Sequence, residues 1–119
     1  IFASRLLKKD QPIINGSGEQ TRDYVFVEDV VAANLLALGN SANSIYNIGT
    51  GIETSVNELY KKINQITGTG FSEKHGPTAA GEQLRSVITS DKIFNELKWR
   101  PSISIESGLT KTVEYFRTK

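Results

Sequence analysis

The sequence predicts an α/β fold in which helices outnumber a few short strands. Apolar residues recur at helical spacing along Val27–Leu38, Val56–Ile66 and Ile105–Phe116. Short β-branched or aromatic runs lie between the helical stretches, and Gly-rich turns punctuate the joins. With 119 residues the chain forms one domain, a small one.

Ile1–Leu7 has the pattern of a helix, with Phe2, Leu6 and Leu7 on one face and Arg5, Lys8 and Lys9 on the other. It opens without a capping residue, and the chain contains no Met. Both features predict further sequence upstream. Pro12–Ile14 reads as a strand that Asn15–Gly18 turns, and Tyr24–Val27 as a second extended run. Glu28 and Asp29 then open a helix, where their charge suits the positive end of the helix dipole. Val27, Val30, Val31, Leu35 and Leu38 form its apolar stripe, and Gly39–Asn40 closes it. Asn34 falls on the same stripe and is expected to be buried and hydrogen-bonded.

Ser44–Ile48 reads as a strand. Ser55 and Glu58 form a capping box, the Ser hydroxyl taking an otherwise unpaired N–H of the first turn. Val56, Leu59, Tyr60, Ile63 and Ile66 line the helix that follows, and Gly68 stops it. Residues 68–83 are rich in Gly, Ser, Thr and Pro and predict a long loop. Ser86–Ile88 predicts another short strand, and Ile93, Phe94 and Leu97 a short helix that Trp99–Arg100–Pro101 ends. In the last helix, Gly108 costs about 1 kcal/mol relative to Ala, which points to a close backbone approach.

Fourteen Lys and Arg against 13 Asp and Glu give a charge of +1. That argues against a nucleic-acid partner, whose binding draws on a strong basic excess. The absence of Cys excludes disulfides and thiolate chemistry, and a single His excludes a multi-His metal cluster. No apolar run approaches the roughly 20 residues of a membrane helix. A cytoplasmic location is expected.

Gly49-x-Gly51 between a strand and a helix has the look of a dinucleotide-binding turn. Thr54 stands at the third Gly position, however. Tyr115 and Lys119 share a helix face at the spacing of a Tyr-x-x-x-Lys pair, but Lys119 ends the chain, where helices fray. Neither pair is taken as a cofactor or catalytic site, and no metal site is expected.

The stretch Gly16-Ser17-Gly18-Glu19-Gln20-Thr21-Arg22-Asp23-Tyr24 through Val27-Glu28-Asp29-Val30 is more telling. It resembles the run into the C-terminal, substrate-binding part of extended Rossmann-type short-chain dehydrogenase/reductases. These are the NAD-dependent nucleotide-sugar epimerases and dehydratases, UDP-glucose 4-epimerase among them. Tyr46–Gly51, Gly81-Glu82 with Arg85, Leu97–Pro101 and Gly108-Leu109 through Tyr115 agree with that family in order and spacing, so the resemblance spans residues 1–119 as one partial domain.

The resemblance implies a site. Arg22 would contact the diphosphate of a nucleotide sugar, for which a guanidinium offers a planar fork. Pro12, Ile14 and Asn15 would border the nucleobase, and Glu82 and Arg85 the ribose and phosphates. Ala79 stands where the family has a second Arg clamp; Arg85, Lys74 or His75 would have to supply that charge.

The resemblance further implies a parent protein whose N-terminal half carries NAD and the catalytic residues. This chain alone is then expected to bind a nucleotide-diphosphate sugar, UDP-linked by preference, without binding NAD or catalysing. It is also expected to self-associate through Val25, Val27, Ile45, Ile48, Phe2 and Leu6. A 4,6-dehydratase parent and a non-enzymatic binding module are the alternatives.

Overall fold

A computed structural model describes residues 1–40 and 43–119. In chain order the elements are α1 (Phe2–Leu7), β1 (Ile14–Asn15), β2 (Thr21–Arg22), α2 (Val27–Leu38), β3 (Thr54–Ser55), α3 (Val56–Thr67), β4 (His75–Gly76), α4 (Asp91–Leu97) and α5 (Ile105–Arg117). Helices dominate, as the sequence predicts. The molecule is a slab measuring 48 × 34 × 18 Å.

Helix α3 follows its sequence signals closely. The Ser55 hydroxyl accepts the Glu58 N–H at 3.1 Å, and Gly68 caps the other end with φ 70°, a left-handed conformation that a Cβ would disfavour. Its apolar stripe meets α1 and α5 in the main core, which contains Ala3, Leu6, Ile14, Tyr60, Ile63 and Val113. The ring of Phe2 meets that of Tyr60 edge to face at 5.5 Å. Gly108 on α5 is buried, and a Cβ there would sit 3.2 Å from the Phe26 ring, the close approach its position in a helix implies.

A second, smaller cluster joins Ala33, Ile93 and Trp99, flanked by Tyr46, Ile48 and Leu97. The Trp99 indole N–H donates to the carbonyl of Asp29 at 2.9 Å. The Asp29 carboxylate accepts from the backbone of Ser102 and Ile103. These bonds tie the start of α2 to the segment that enters α5. Helix α4 ends at Leu97 because Lys98 turns left-handed at φ 60°; Pro101 lies beyond that stop.

The strands differ from expectation. Pairing falls on β1 with β4, in parallel, and on β2 with β3, antiparallel. Tyr24–Phe26, Ser44–Ile48 and Ser86–Ile88 form no ladder among the described residues, since a run of suitable residues becomes a strand only when another segment lies alongside to pair. Val27 begins α2 rather than ending a strand. The expected loop of 68–83 contains β4, whose pairing brings His75 opposite Ile14.

Helix α2 is turned the other way from its expected stripe. Val27, Leu35 and Leu38 are 63%, 64% and 82% exposed, and Asn34 is exposed too. The buried face is instead that of Asp29 and Ala33. Of the residues expected to be uncovered, Ile45 is 86% exposed, whereas Leu6 is fully buried in the main core because α1 packs against α3 and α5. Phe2, Val25 and Ile48 are partly buried.

Candidate functional site

Four of the six candidate site residues gather around β2. The ladder sets Arg22 opposite Thr54 and Thr21 opposite Ser55. Residues 82–85 lie across this strand pair as a strap, fastened at successive positions. Gln20 Nε2 donates to the Asn15 carbonyl at 3.0 Å and to Glu82 Oε1 at 3.4 Å. Arg22 Nη1 donates to the carbonyls of Thr21 and Gln83, at 2.6 and 2.8 Å, and Arg22 Nη2 lies 3.5 Å from Glu82 Oε1. The Thr21 N–H donates to the Leu84 carbonyl at 2.8 Å.

Arg85 completes the strap. Its Nε and Nη2 donate to the two carboxylate oxygens of Glu53, at 2.8 and 2.7 Å. The Thr21 hydroxyl adds a third bond to Glu53 at 2.9 Å. The Arg85 hydrogen bonds, then that of Thr21, hold the Glu53 carboxyl at about 2. A cavity of about 340 Å³ opens beside this cluster, lined by Glu53, Gln83, Arg85, Ser86 and Val87. Burial pushes the Tyr24 hydroxyl above its ordinary pKa; Arg22 pulls it down and Glu82 adds to the rise.

Asn15, Arg22, Glu82 and Arg85 thus share one neighbourhood. Pro12 and Ile14 lie behind it. Both are fully buried, and Ile14 belongs to the main core, so neither presents surface to a ligand in this structure. Of the cations that could replace the clamp missing at Ala79, Arg85 is in the cluster. His75 is engaged elsewhere, its Nδ1 at 2.7 Å from the Gly16 carbonyl.

Sequence reasoning missed Gln20, Thr21 and Glu53. Gln20 and Thr21 stand inside the Gly16–Val30 motif, where a signal was available. Glu53 carries none, because its partners are distant in the chain. A roomier groove of about 740 Å³, lined by neither Arg22 nor Arg85 but by Arg100, lies between the Gly49–Gly51 turn, Val87–Asp91 and Trp99–Pro101. It has an apolar floor that includes Ile88, Phe94 and Trp99, and size alone does not make it the site.

The Gly49–Gly51 turn is tied to Asp23. Its Thr50 and Gly51 N–H groups, which a pyrophosphate would need, both donate to the Asp23 carboxylate. Gly49 is required by crowding, since a Cβ would meet Asp23 Oδ2 and the Ile88 carbonyl at 2.8 Å. Tyr115 and Lys119 meet by ring contact. Lys119 Nζ lies over its ring, 4.8 Å from the centroid, and the ring packs edge to face on Phe116. Among the described residues no cluster of His, Asp and Glu could hold a metal ion, and no helix is long and apolar enough to cross a membrane.

Solved structures with this fold are Rossmann-type epimerases and dehydratases. A UDP-glucose 4-epimerase of Thermotoga maritima, solved with UDP-glucose, matches with a TM-score of 0.95 and 44% identity, over 98% of this chain and 38% of that one. A dTDP-glucose 4,6-dehydratase of Streptomyces venezuelae, solved with NAD, gives 0.91 and 30% over 99% and 37%. The UDP-glucose 4-epimerase of Mycolicibacterium smegmatis is 38% identical over 120 residues, 100% of this chain and 38% of its own length. The chain belongs to the family described as GDP-mannose 4,6 dehydratase, whose pattern matches residues 1–112. The chain thus spans about 38% of the length of relatives such as the Mycolicibacterium and Thermotoga enzymes.

Proposed function

We propose that this chain is the nucleotide-sugar-binding, C-terminal part of an NAD-dependent nucleotide-sugar epimerase of the UDP-glucose 4-epimerase kind. The observation that carries this reading is the 44% identity, across nearly the whole chain, to an epimerase solved with UDP-glucose. The site supports it chemically. Among the described residues, both hydrogen bonds of Arg22 use Nη1, and its Nη2 lies against Glu82 at 3.5 Å. The Nη2 edge is the one turned to a diphosphate. A 4,6-dehydratase parent is the second reading, favoured by the family's description, though the Streptomyces dehydratase stands lower at 30% identity.

NAD binding and hydride transfer belong, on this reading, to the remainder of a longer protein, and this chain alone is inactive. Helix α2 supports that division. From Val30 to Ile52 the sequence contains no Asp, Glu, Lys or Arg. Beyond Glu28 and Asp29 in its first turn, the helix carries no charge on any face, the mark of a surface that other structure covers. With that cover absent, the chain self-associates through α2 and Ile45, and a net charge of +1 offers little repulsion.

Binding of UDP-glucose to the full-length parent tests the site. Arg22→Ala is expected to weaken it by about 1.5–3 kcal/mol, the scale of a hydrogen bond to a charged group. An unchanged dissociation constant overturns the assignment. Calorimetric titration of this chain with NAD⁺ is expected to show no binding; micromolar affinity overturns the division of labour. Light scattering at rising concentration should give a mass above that of one chain, and a single-chain mass throughout would refute self-association.

A further inference from the structure

We infer that Glu53 is a positioning residue for Arg22, acting through the 82–85 strap. The inference rests on the reading of Arg22 as a phosphate contact and adds how its guanidinium is aimed. Glu53 touches no ligand in this scheme; its effect passes along a chain of bonds.

Glu53 sits one residue before β3. It binds the end of the strap through both guanidinium donors of Arg85, a paired geometry that fixes orientation as well as distance. Its Oε1 is anchored in turn by the Thr21 hydroxyl, on β2 itself. Two residues back along the strap, the Gln83 carbonyl accepts from Arg22 Nη1. That nitrogen has two hydrogens, and the second goes to the Thr21 carbonyl. Two acceptors on one nitrogen leave the guanidinium plane little freedom to rotate.

The edge that remains is loosely occupied by Glu82, at 3.5 Å. A phosphate arriving there displaces a weak contact and finds the fork already oriented, so binding loses little side-chain freedom. Without the Glu53–Arg85 clip the strap retains the Leu84 carbonyl bond to Thr21 but loses its outer anchor. The Gln83 carbonyl, still flanked by the Gln20–Glu82 and Thr21–Leu84 bonds, is then held less firmly, and Arg22 samples more rotamers. Most of Arg85 lies in solvent, with its side chain 72% exposed, so the clip contributes little to the core and its loss spares the fold.

The test uses nitrogen-15 NMR of the arginine side chains in this chain, without ligand, and UDP titration of the full-length parent. Wild-type Arg22 is expected to show distinct, slowly rotating Nη signals. Glu53→Gln should collapse them to averaged ones while the methyl signals of Leu6, Ile63 and Val113 stay in place. Arg85→Gln removes the same clip from the strap side and should do the same. In the parent, Glu53→Gln should weaken UDP binding about tenfold, the scale of one charge-assisted hydrogen bond. In an Arg22→Ala background it should change UDP binding by less than about twofold, since coupled residues do not add. Unchanged Arg22 signals in both variants overturn the inference. So does an equal loss of UDP affinity with and without Arg22. If Arg22→Ala alone leaves UDP binding intact, the phosphate role of Arg22 fails, and the ligand-free Arg22 signals still decide whether Glu53 orients it.

Discussion

The Asp23 carboxylate holds Thr50 by both of its donors, the backbone N–H at 2.9 Å and the hydroxyl at 2.6 Å. The Gly51 and Ile88 N–H groups bond to the same carboxylate. One acid therefore binds the end of β2 to two segments far along the chain. Beside Arg22, the acid of the Arg-Asp-Tyr motif is a structural tie.

Replacing Asp23 with Ala should accordingly destabilise the fold by about 3 kcal/mol, the upper end for losing bonds to a charged group. Burial pushes the Asp23 carboxyl up, but the bonds from Thr50, Gly51 and Ile88 outweigh it and hold its pKa below 3.8. A lowered folded pKa gives stability that is present above the ordinary value and lost as pH falls through the folded one. Urea unfolding should therefore separate wild type from Asp23→Ala fully at pH 7, with the gap closing below pH 3.8.

The Glu53–Arg85 clip should outlast most carboxylate contacts in acid. With Glu53 at about 2, its pairing persists as pH falls past 4.5, the ordinary value, and opens only near 2. The Arg85 Nε–H signal, followed from neutral pH downward, checks this. Loss of that signal already near pH 4.5 would contradict the geometry.

Gly108→Leu should destabilise the chain by about 1–3 kcal/mol through overpacking, although Leu is the better helix former. Even a Cβ at this position lies 3.2–3.3 Å from the Phe26 ring, and a longer side chain has to move that ring. Thermal unfolding of the variant beside wild type measures the effect.

On α2 the expected effect is on association rather than on folding. Leu35 is 64% exposed, so Leu35→Lys should shift stability by no more than about 0.5 kcal/mol. It should nevertheless lower the mass seen by light scattering, because a charge enters the uncharged surface. An unchanged mass would place self-association elsewhere.

How far the sequence could be read depended on how local each signal was. Ser55 caps α3 through a residue three positions on, and the stripes of α3 and α5 each sit within a few turns. All of these were legible. The stripe of α2 has the same periodicity, yet its apolar side chains face outward, because spacing shows which residues share a face and not what covers it. The strands are only two residues long and were legible mainly through their partners. Nothing in Thr21–Arg22 alone announces pairing with Thr54–Ser55. At the site, Arg22, Glu82 and Arg85 stand in recognisable order, whereas Glu53 joins them only once the chain has folded back.

A slab 18 Å thick with two separate apolar clusters has little to make it melt as one body. The cluster of Ala33, Ile93 and Trp99 is small and depends on polar ties such as those of Asp29, while α1, α3 and α5 share a larger interior. Opening free energy follows the apolar area each unit shares, so the two halves breathe on different scales. The α2–α4 half is expected to be the weaker foldon, opening and exposing its amides to exchange while the three-helix half stays closed. Limited proteolysis should then nick α2 and α4 first and leave α1, α3 and α5 as the resistant remnant.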